Sequence, residues 1–168
     1  MIPQIKRILY ATDLSNSSAY VLRYAIDSAK KHDARIIILH VLDTMPALVK
    51  TNIAEDKQHQ IFKEKKTYTL DRIQKRLKIF CEREFRADPE CNERIESIEV
   101  REGFAAEVIL RKADEFNCDL IIMGTHSKGI IQNAFLGSTA KRVLRRTRKP
   151  VFIVPLPKGE LDITFRDI

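Results

Sequence analysis

Cysteine, glycine and long apolar runs are all scarce in this sequence. The few cysteines and the short apolar runs exclude several classes of protein. The cysteines Cys81, Cys91 and Cys118 are widely spaced and form no CxxC pair, which indicates ordinary reduced thiols, not a disulfide framework or a zinc site. No apolar run approaches the ~18 residues of a membrane-spanning helix. The N-terminus becomes charged too early for a signal peptide. We therefore expect a soluble cytoplasmic protein with no membrane partner.

The length and the charge indicate one globular domain with a basic surface. A chain of 168 residues is long enough to bury a core in a single domain. The net charge of +7 suits phosphate ligands or nucleic acid, but the basic residues are spread along the chain. One dense run, 141–149, is explained by cations that stabilise the carbonyl end of a helix. Nucleic acid is therefore not an expected partner.

Short apolar segments alternate with segments of helical periodicity, which favours an α/β protein with a parallel sheet. The predicted strands are 5–11, 34–43, 94–103, 118–124 and 150–156, and the predicted helices are 17–32, 55–85, 105–117 and 135–147. Strand 94–103 alternates polar and apolar residues, as an edge strand does. Ser15 or Ser17 is a candidate N-cap for the first helix. Residues 44–60 are interpreted as a mobile loop, and 157–168 as a tail that follows a domain at 1–156.

Three of the five glycines lie in the segment 124–138, "GTHSKGIIQNAFLGS". Gly124 ends an apolar strand, where ligands bind in open parallel sheets, and a residue without a side chain lets them approach the backbone. Gly137 and Ser138 begin a predicted helix, whose first N–H groups attract anions. The patterns GxxxxGK[ST] and GxGxxG are both absent. On spacing alone, phosphate binding and plain turn formation both remain open.

These motifs resemble the universal stress protein family, whose ATP-binding members contain Gly-x2-Gly-x9-Gly-Ser/Thr. Gly124, Gly137 and Ser138 match that pattern, whereas Ser127 stands where the second glycine is expected. The resemblance extends over the segments 6–18, 38–43, 100–110, 118–129 and 149–155. It implies a single-domain, open five-stranded parallel sheet of order 3-2-1-4-5 with helices on both faces. This is a Rossmann-like fold of the adenine nucleotide alpha hydrolase-like type.

The resemblance also implies which residues would contact a bound ATP. The nucleoside would meet Ala11, Thr12, Asp13 and Val41, the ribose and first phosphate Met123 and Gly124, and the phosphates Ser127, Gly137, Ser138 and Thr139. A carboxylate at Asp13 suits this role because it accepts hydrogen bonds from ribose hydroxyls or an adenine amino group, although capping of the following helix is an alternative. Serine at Ser127 lacks the conformational freedom of glycine but offers a hydroxyl donor.

The function implied by the resemblance is a small stress-response protein that acts as an ATP-dependent sensor or switch. Mg²⁺ or Mn²⁺ would be carried by the phosphates, and hydrolysis would be slow or absent, because no second acidic residue or water-positioning group is apparent. Ser127 favours the alternative, a nucleotide-free interaction module. A ligase or phosphatase is disfavoured because the opening strand lacks an SGGxDS loop. The family also implies a homodimer through the apolar strand 150–156.

Overall fold

The computed structural model describes residues 1–15, 17–43, 55–125 and 136–155, without the side chains of 55–63, 65 and 66. Five strands and five helices lie in these ranges. The strands are β1 (Arg7–Thr12), β2 (Arg35–Leu42), β3 (Ile95–Glu102), β4 (Leu120–Gly124) and β5 (Val151–Val154). The helices are α1 (Ser18–His32), α2 (Glu55–Glu84), α3 (Pro89–Glu93), α4 (Ala105–Glu115) and α5 (Ser138–Arg146).

The strands form one parallel sheet in the order β3-β2-β1-β4-β5, which confirms the predicted fold class. β1 lies at the centre, where Tyr10 is in register with Ile38 of β2 and Ile122 of β4. The uninterrupted apolar runs of these strands reflect burial on both faces of the sheet. β3 is an edge strand, as its alternating pattern predicts, and β5 forms the other edge.

Helices cover both faces of the sheet and give the molecule two cores. On one face Tyr10 packs in a cluster with Leu22 of α1 and Phe80 of α2. On the other face Leu9 shares a cluster with Ile109 of α4 and Val143 of α5. Neighbouring residues of a strand enter opposite cores because side chains alternate along a strand. None of the helices in the described ranges is both long and apolar enough to cross a membrane.

Polar pairs connect the elements at the amino-terminal end of the sheet. Oδ2 of Asp119 accepts hydrogen bonds from the backbone N–H groups of Lys6 (2.8 Å) and Arg7 (2.9 Å). Arg94 donates from one guanidinium nitrogen to Asp33 and from another to Glu90, each at 2.9 Å. These hydrogen bonds connect the starts of β1 and β4 directly. They also connect the residue before β3 to the turn before β2.

Some local predictions differ from the structure. Ser17 occupies the N-cap of α1, but its backbone is already helical (φ −86°, ψ −5°), whereas a capping residue needs an extended backbone. No side-chain cap hydrogen bond forms there, and the hydroxyl of Ser15 contacts that of Ser17 at 3.0 Å. The capping prediction is therefore wrong. Residues 55–60, where the interval interpreted as a loop overlaps the predicted helix 55–85, belong to α2, which confirms the helix there, whereas 44–54 and the predicted tail 157–168 lie outside the described residues.

All three cysteines are buried as free thiols. Burial raises the pKa of Cys81 to about 12 and that of Cys118 to about 11. Both groups therefore remain protonated at neutral pH, and they act as small apolar side chains of the core.

Candidate functional site

A cavity of about 610 Å³ opens at the carboxyl ends of β1, β2 and β4. The strand order reverses between β1 and β4, which is where open parallel sheets bind ligands. The cavity wall includes Ala11, Thr12 and Asp13 after β1, Val41 of β2, Met123 and Gly124 of β4, and Gly137 and Thr139 at α5. Eight of the ten predicted site residues therefore surround one space. Ser138 is exposed at the start of α5 and is not part of the wall, and Ser127 lies outside the described residues.

Asp13 follows β1 and has two carboxylate oxygens in very different environments. Oδ1 accepts hydrogen bonds from the backbone N–H of Ser15 (2.9 Å) and the hydroxyl of Ser18 (3.1 Å). The bond to Ser15 is an Asx turn, so Asp13 shapes the connection into α1. Oδ2 is buried and has no hydrogen-bond partner. Such an oxygen loses its hydration without compensation, which makes it a strong acceptor site for a donor group on a ligand.

Hydrogen bonds hold the chain around Asp13 in place. Nδ1 of His40 lies 2.9 Å from the backbone carbonyl oxygen of Thr12, in agreement with the position of His40 inside the sheet. The hydroxyl of Tyr10 donates to the backbone carbonyl of Ser18 at 2.6 Å, and burial raises the pKa of Tyr10. Since these contacts link β1 to both β2 and α1, the position of the Asp13 carboxylate is set by the fold.

Gly124 ends β4 where the sheet meets α1. A Cβ atom at this position would lie 3.3 Å from Cγ2 of Val21, closer than most carbon contacts of real side chains. The sequence interpretation was that a missing side chain here lets a ligand approach. The structure adds a second reason, because a glycine also lets α1 pack closely against the end of β4.

Gly137 brings the start of α5 to the same end of β4. Its backbone N–H donates to the carbonyl oxygen of Thr125 at 2.6 Å. Gly137 is the N-cap of α5, without a side-chain cap, and no acidic residue lies in the first turn. The first N–H groups of a helix have no partner within the helix and carry partial positive charge. The start of α5 beside the cavity can therefore bind an anionic group.

Among the wall residues that were not predicted as site residues are two isoleucines and an aspartate. Ile73 of α2 and Ile109 of α4 supply apolar surface from opposite sides of the sheet. Asp43 lies after β2, and its Oδ1 accepts a hydrogen bond from the backbone N–H of Ala105 (3.2 Å). Ile73 belongs to a helical apolar stripe that indicates only a core position. Asp43 follows a strand just as Asp13 does, and that placement was the available signal.

Comparisons with known proteins agree with this architecture. The sequence profile of the Universal stress protein family matches residues 4–155. Universal stress protein MJ0531 of Methanocaldococcus jannaschii is 30% identical over 156 residues, which cover 92% of this chain and 85% of that protein. Both matches therefore extend over nearly the whole chain.

Solved structures show the same fold. The structure of protein MJ0577, from the same organism, has a TM-score of 0.67 at 23% identity and covers 94% of this chain and 100% of its own. A universal stress protein solved in complex with cAMP has a TM-score of 0.52 at 22% identity and covers 91% and 98%. Sequence profile, relatives and fold lead to one assignment: this chain belongs to the universal stress protein family.

Proposed function

We propose that this protein binds an adenine nucleotide, with ATP as the expected ligand, in the cavity at the carboxyl ends of β1, β2 and β4. The single observation that supports this most is the buried Oδ2 of Asp13, which has no donor. An adenine amino group or a ribose hydroxyl would supply that donor. The fold relative solved with cAMP shows that a protein of this architecture can hold an adenine nucleotide.

The two sides of the cavity suit the two halves of a nucleotide. The base and ribose would lie near Ala11, Thr12 and Val41, with Ile73 and Ile109 as apolar walls. An apolar wall with a few placed polar groups is typical of small-molecule sites.

The phosphates would lie at Met123 and Gly124 and at the first N–H groups of α5, from Gly137 to Thr139. Ser127 is proposed as a further hydroxyl donor to the phosphates. No group of three or more potential metal-ligating side chains exists in the described ranges. A Mg²⁺ or Mn²⁺ ion would therefore be held by phosphate oxygens and water.

The described cavity wall supports binding more than rapid hydrolysis. Its carboxylates are Asp13 and Asp43, of which Asp13 shapes the turn into α1 and Asp43 accepts from the backbone of Ala105. We propose that hydrolysis is slow or absent, and that bound nucleotide changes the loop and dimer geometry of a cytoplasmic stress sensor or switch. The folded unit would be 1–156, with 157–168 as a tail.

Bound ligand and affinity can be measured directly. Purified protein is denatured, and the supernatant is assayed for adenine nucleotides by chromatography. Calorimetric titration with ATP and Mg²⁺ then gives the affinity of the wild type and of Gly137→Val, whose side chain would obstruct the start of α5. Gly137→Ala is the graded control, because φ −65° is open to any residue and alanine adds only one methyl group.

We expect binding by the wild type, a smaller loss in Gly137→Ala and loss of at least about 100-fold, or about 2.7 kcal/mol, in Gly137→Val. An unchanged ATP affinity in Gly137→Val would refute the proposed phosphate site. Wild-type protein that contains no nucleotide and binds none would favour the nucleotide-free interaction module.

We also propose a homodimer through 150–156. β5 is an edge strand, and its side chains Val151, Phe152 and Ile153 are half-buried or exposed. The ring of Phe152 lies 6.1 Å from that of Tyr24, which extends the apolar surface toward α1. An apolar edge of this kind is prone to pair with another strand. Light scattering is expected to give a dimer mass, and a monomer mass at micromolar concentration would contradict the proposal.

A further inference from the structure

Exposed basic side chains lie on α5 and on the turn that follows it, and we call this patch the basic face. It is defined by Lys141, Arg142 and Arg145 of α5 and by Arg148, which follows the end of the helix. The sequence contains no aspartate or glutamate from Leu120 to Gly159, so acidic neighbours can come only from other elements. Such a concentration of one charge in a short segment is unusual in this chain, where acidic and basic residues otherwise alternate closely.

Acidic residues of α4 reach only the side of α5 that faces α4. Arg146 pairs with Glu107 at 3.2 Å, and Lys149, after the end of α5, pairs with Asp114 at 3.3 Å. Within the described part of the chain, the four residues of the basic face have no ion pair. Among the described residues these charges therefore have no acidic partner, which leaves them available to bind an external anion.

The helix dipole explains only part of this face. The sequence interpretation was that the basic run stabilises the carbonyl end of a helix. α5 begins at Ser138 and ends at Arg146, so Lys141 lies in its amino-terminal half and Arg142 at its middle. A cation near the amino terminus is disfavoured by the dipole, and one at the middle gains little from it. The dipole therefore accounts for the residues near Arg145 but not for Lys141 and Arg142.

A nucleotide bound in the cavity cannot neutralise the positive charges of the basic face. None of its four side chains lies in the cavity wall. Lys141 and Arg145 are four residues apart on one side of the helix, about 6 Å along its axis. Arg146 points toward α4, so this side faces away from α4. The basic face is thus exposed and separate from the nucleotide cavity, although Arg148 also borders a smaller cavity that includes Asp114 of α4.

We propose that the basic face of α5 binds the phosphate backbone of nucleic acid without base specificity, contrary to the expectation from the sequence. Three of its four cations are arginines, whose planar guanidinium groups match phosphate oxygens in pairs. A convex helix face fits the major groove of a duplex. The net charge of +7 would draw a polyanion toward the protein.

A membrane surface fits this face less well. An interfacial helix inserts its apolar side among the lipids, but the apolar residues Ala140 and Val143 of α5 are buried in the core. Leu144 is the only large apolar side chain exposed on α5 in the described structure. The proposal is independent of nucleotide binding in the cavity, so either one can fail without the other.

The test measures binding of the full chain to a labelled duplex DNA and a labelled single-stranded RNA by fluorescence anisotropy at several salt concentrations. The test variant changes all four residues of the basic face to glutamine. The matched control changes Arg72, Lys75, Lys78 and Arg83 of α2 to glutamine. These cations are also exposed, but Asp71 and Glu82 lie among them. Both variants remove four positive charges, so overall charge alone would affect them equally.

We expect the wild type to bind both nucleic acids and the α5 variant to lose at least about 10-fold in affinity, with the salt slope reduced by about 3 to 4. The α2 variant should lose much less. Equal losses in the two variants, absence of wild-type binding at physiological salt, or tighter binding to vesicles containing anionic lipid would each overturn the proposal. If melting curves show that the α5 variant is unfolded, Arg145→Gln and Arg148→Gln are measured singly, and each should lower the slope by about 1.

Discussion

At the amino-terminal end of the sheet, Asp119 accepts two backbone hydrogen bonds with one oxygen, whereas at the carboxyl-terminal end Oδ2 of Asp13 is buried without a donor. The amino-terminal end also has Arg94 between two carboxylates, and the carboxyl-terminal end has an open cavity. Nε of Arg94 is also buried without a partner, but of the two residues only Asp13 belongs to the cavity wall. Substitutions at the two ends should therefore separate stability from binding.

Among substitutions of acidic residues at the two ends, the largest effect is expected at Asp13, where Asp13→Asn changes the role of one oxygen. Asparagine keeps an acceptor for the backbone of Ser15 and the hydroxyl of Ser18, but it places an NH₂ donor where Oδ2 lay. We expect ATP affinity to fall at least about 30-fold, or about 2 kcal/mol, because a donor would then face the donor of the ligand. Calorimetric titration measures the affinity, and thermal melting checks the fold.

The melting temperature of Asp13→Asn should be unchanged or higher than that of the wild type, because a neutral amide without a partner costs less to bury than a charged carboxylate. Wild-type affinity in this variant would show that Oδ2 is not the acceptor for the nucleotide. A large loss of stability would instead place Asp13 among the residues that hold the fold.

A smaller effect, on stability alone, is expected from Asp119→Ala. The backbone N–H groups of Lys6 and Arg7 would lose their acceptor, which should lower the free energy of unfolding by about 1–2 kcal/mol, since these groups are partly exposed to water. Asp119→Asn keeps an acceptor and should lose less. Urea denaturation measures both variants. A change in ATP affinity of more than a few fold would contradict the separation of the two ends.

The smallest effect is expected at Asp33, which is exposed. Its hydrogen bond from Arg94 holds the pKa of Asp33 below its ordinary value. A lowered folded-state pKa stabilises the protein above the unfolded pKa, about 3.9, and this contribution is lost as the pH falls through the folded value. Asp33→Asn tolerates the left-handed backbone at this position (φ 50°) and removes the charge.

Melting temperatures of the wild type and Asp33→Asn should therefore differ slightly at neutral pH and converge below about pH 4. A difference that stays constant from neutral to acidic pH would mean that the ion pair does not contribute to stability.

Local sequence patterns predicted the elements of this fold, whereas contacts between distant residues were harder to foresee. The buried run Ile36–Leu39 indicates a strand covered on both faces, and the structure has it so. The strand order 3-2-1-4-5 followed from family resemblance, because periodicity does not specify which strands pair. The place of Ile73 in the cavity wall could not be foreseen, since an apolar stripe on a helix does not show what it faces.

The prediction of the site residues was limited in the same way, because sequence patterns do not give contacts between distant residues. Asp13 was placed by the family resemblance, whereas Gly137 could be placed because it lies at the start of a helix that follows a strand of a parallel sheet. The helix cap at Ser17 was predicted wrongly because a hydroxyl at the right position does not determine ψ. The helix dipole explained the basic run 141–149 only in part, because the effect of the dipole on each cation depends on where the helix begins.

The central position of β1 also affects how the chain folds while it is being synthesised. Its partner on one side, β4, starts beside Asp119, which lies 112 residues after Arg7. At ribosomal rates of about 5–20 residues per second, the apolar edge of β1 would wait roughly 5–20 s for β4 to be made. During that time the nascent amino-terminal half has β2 on one side and an open strand edge on the other. The growing chain therefore exposes an unpaired apolar strand edge, which is prone to aggregate, until the second half emerges.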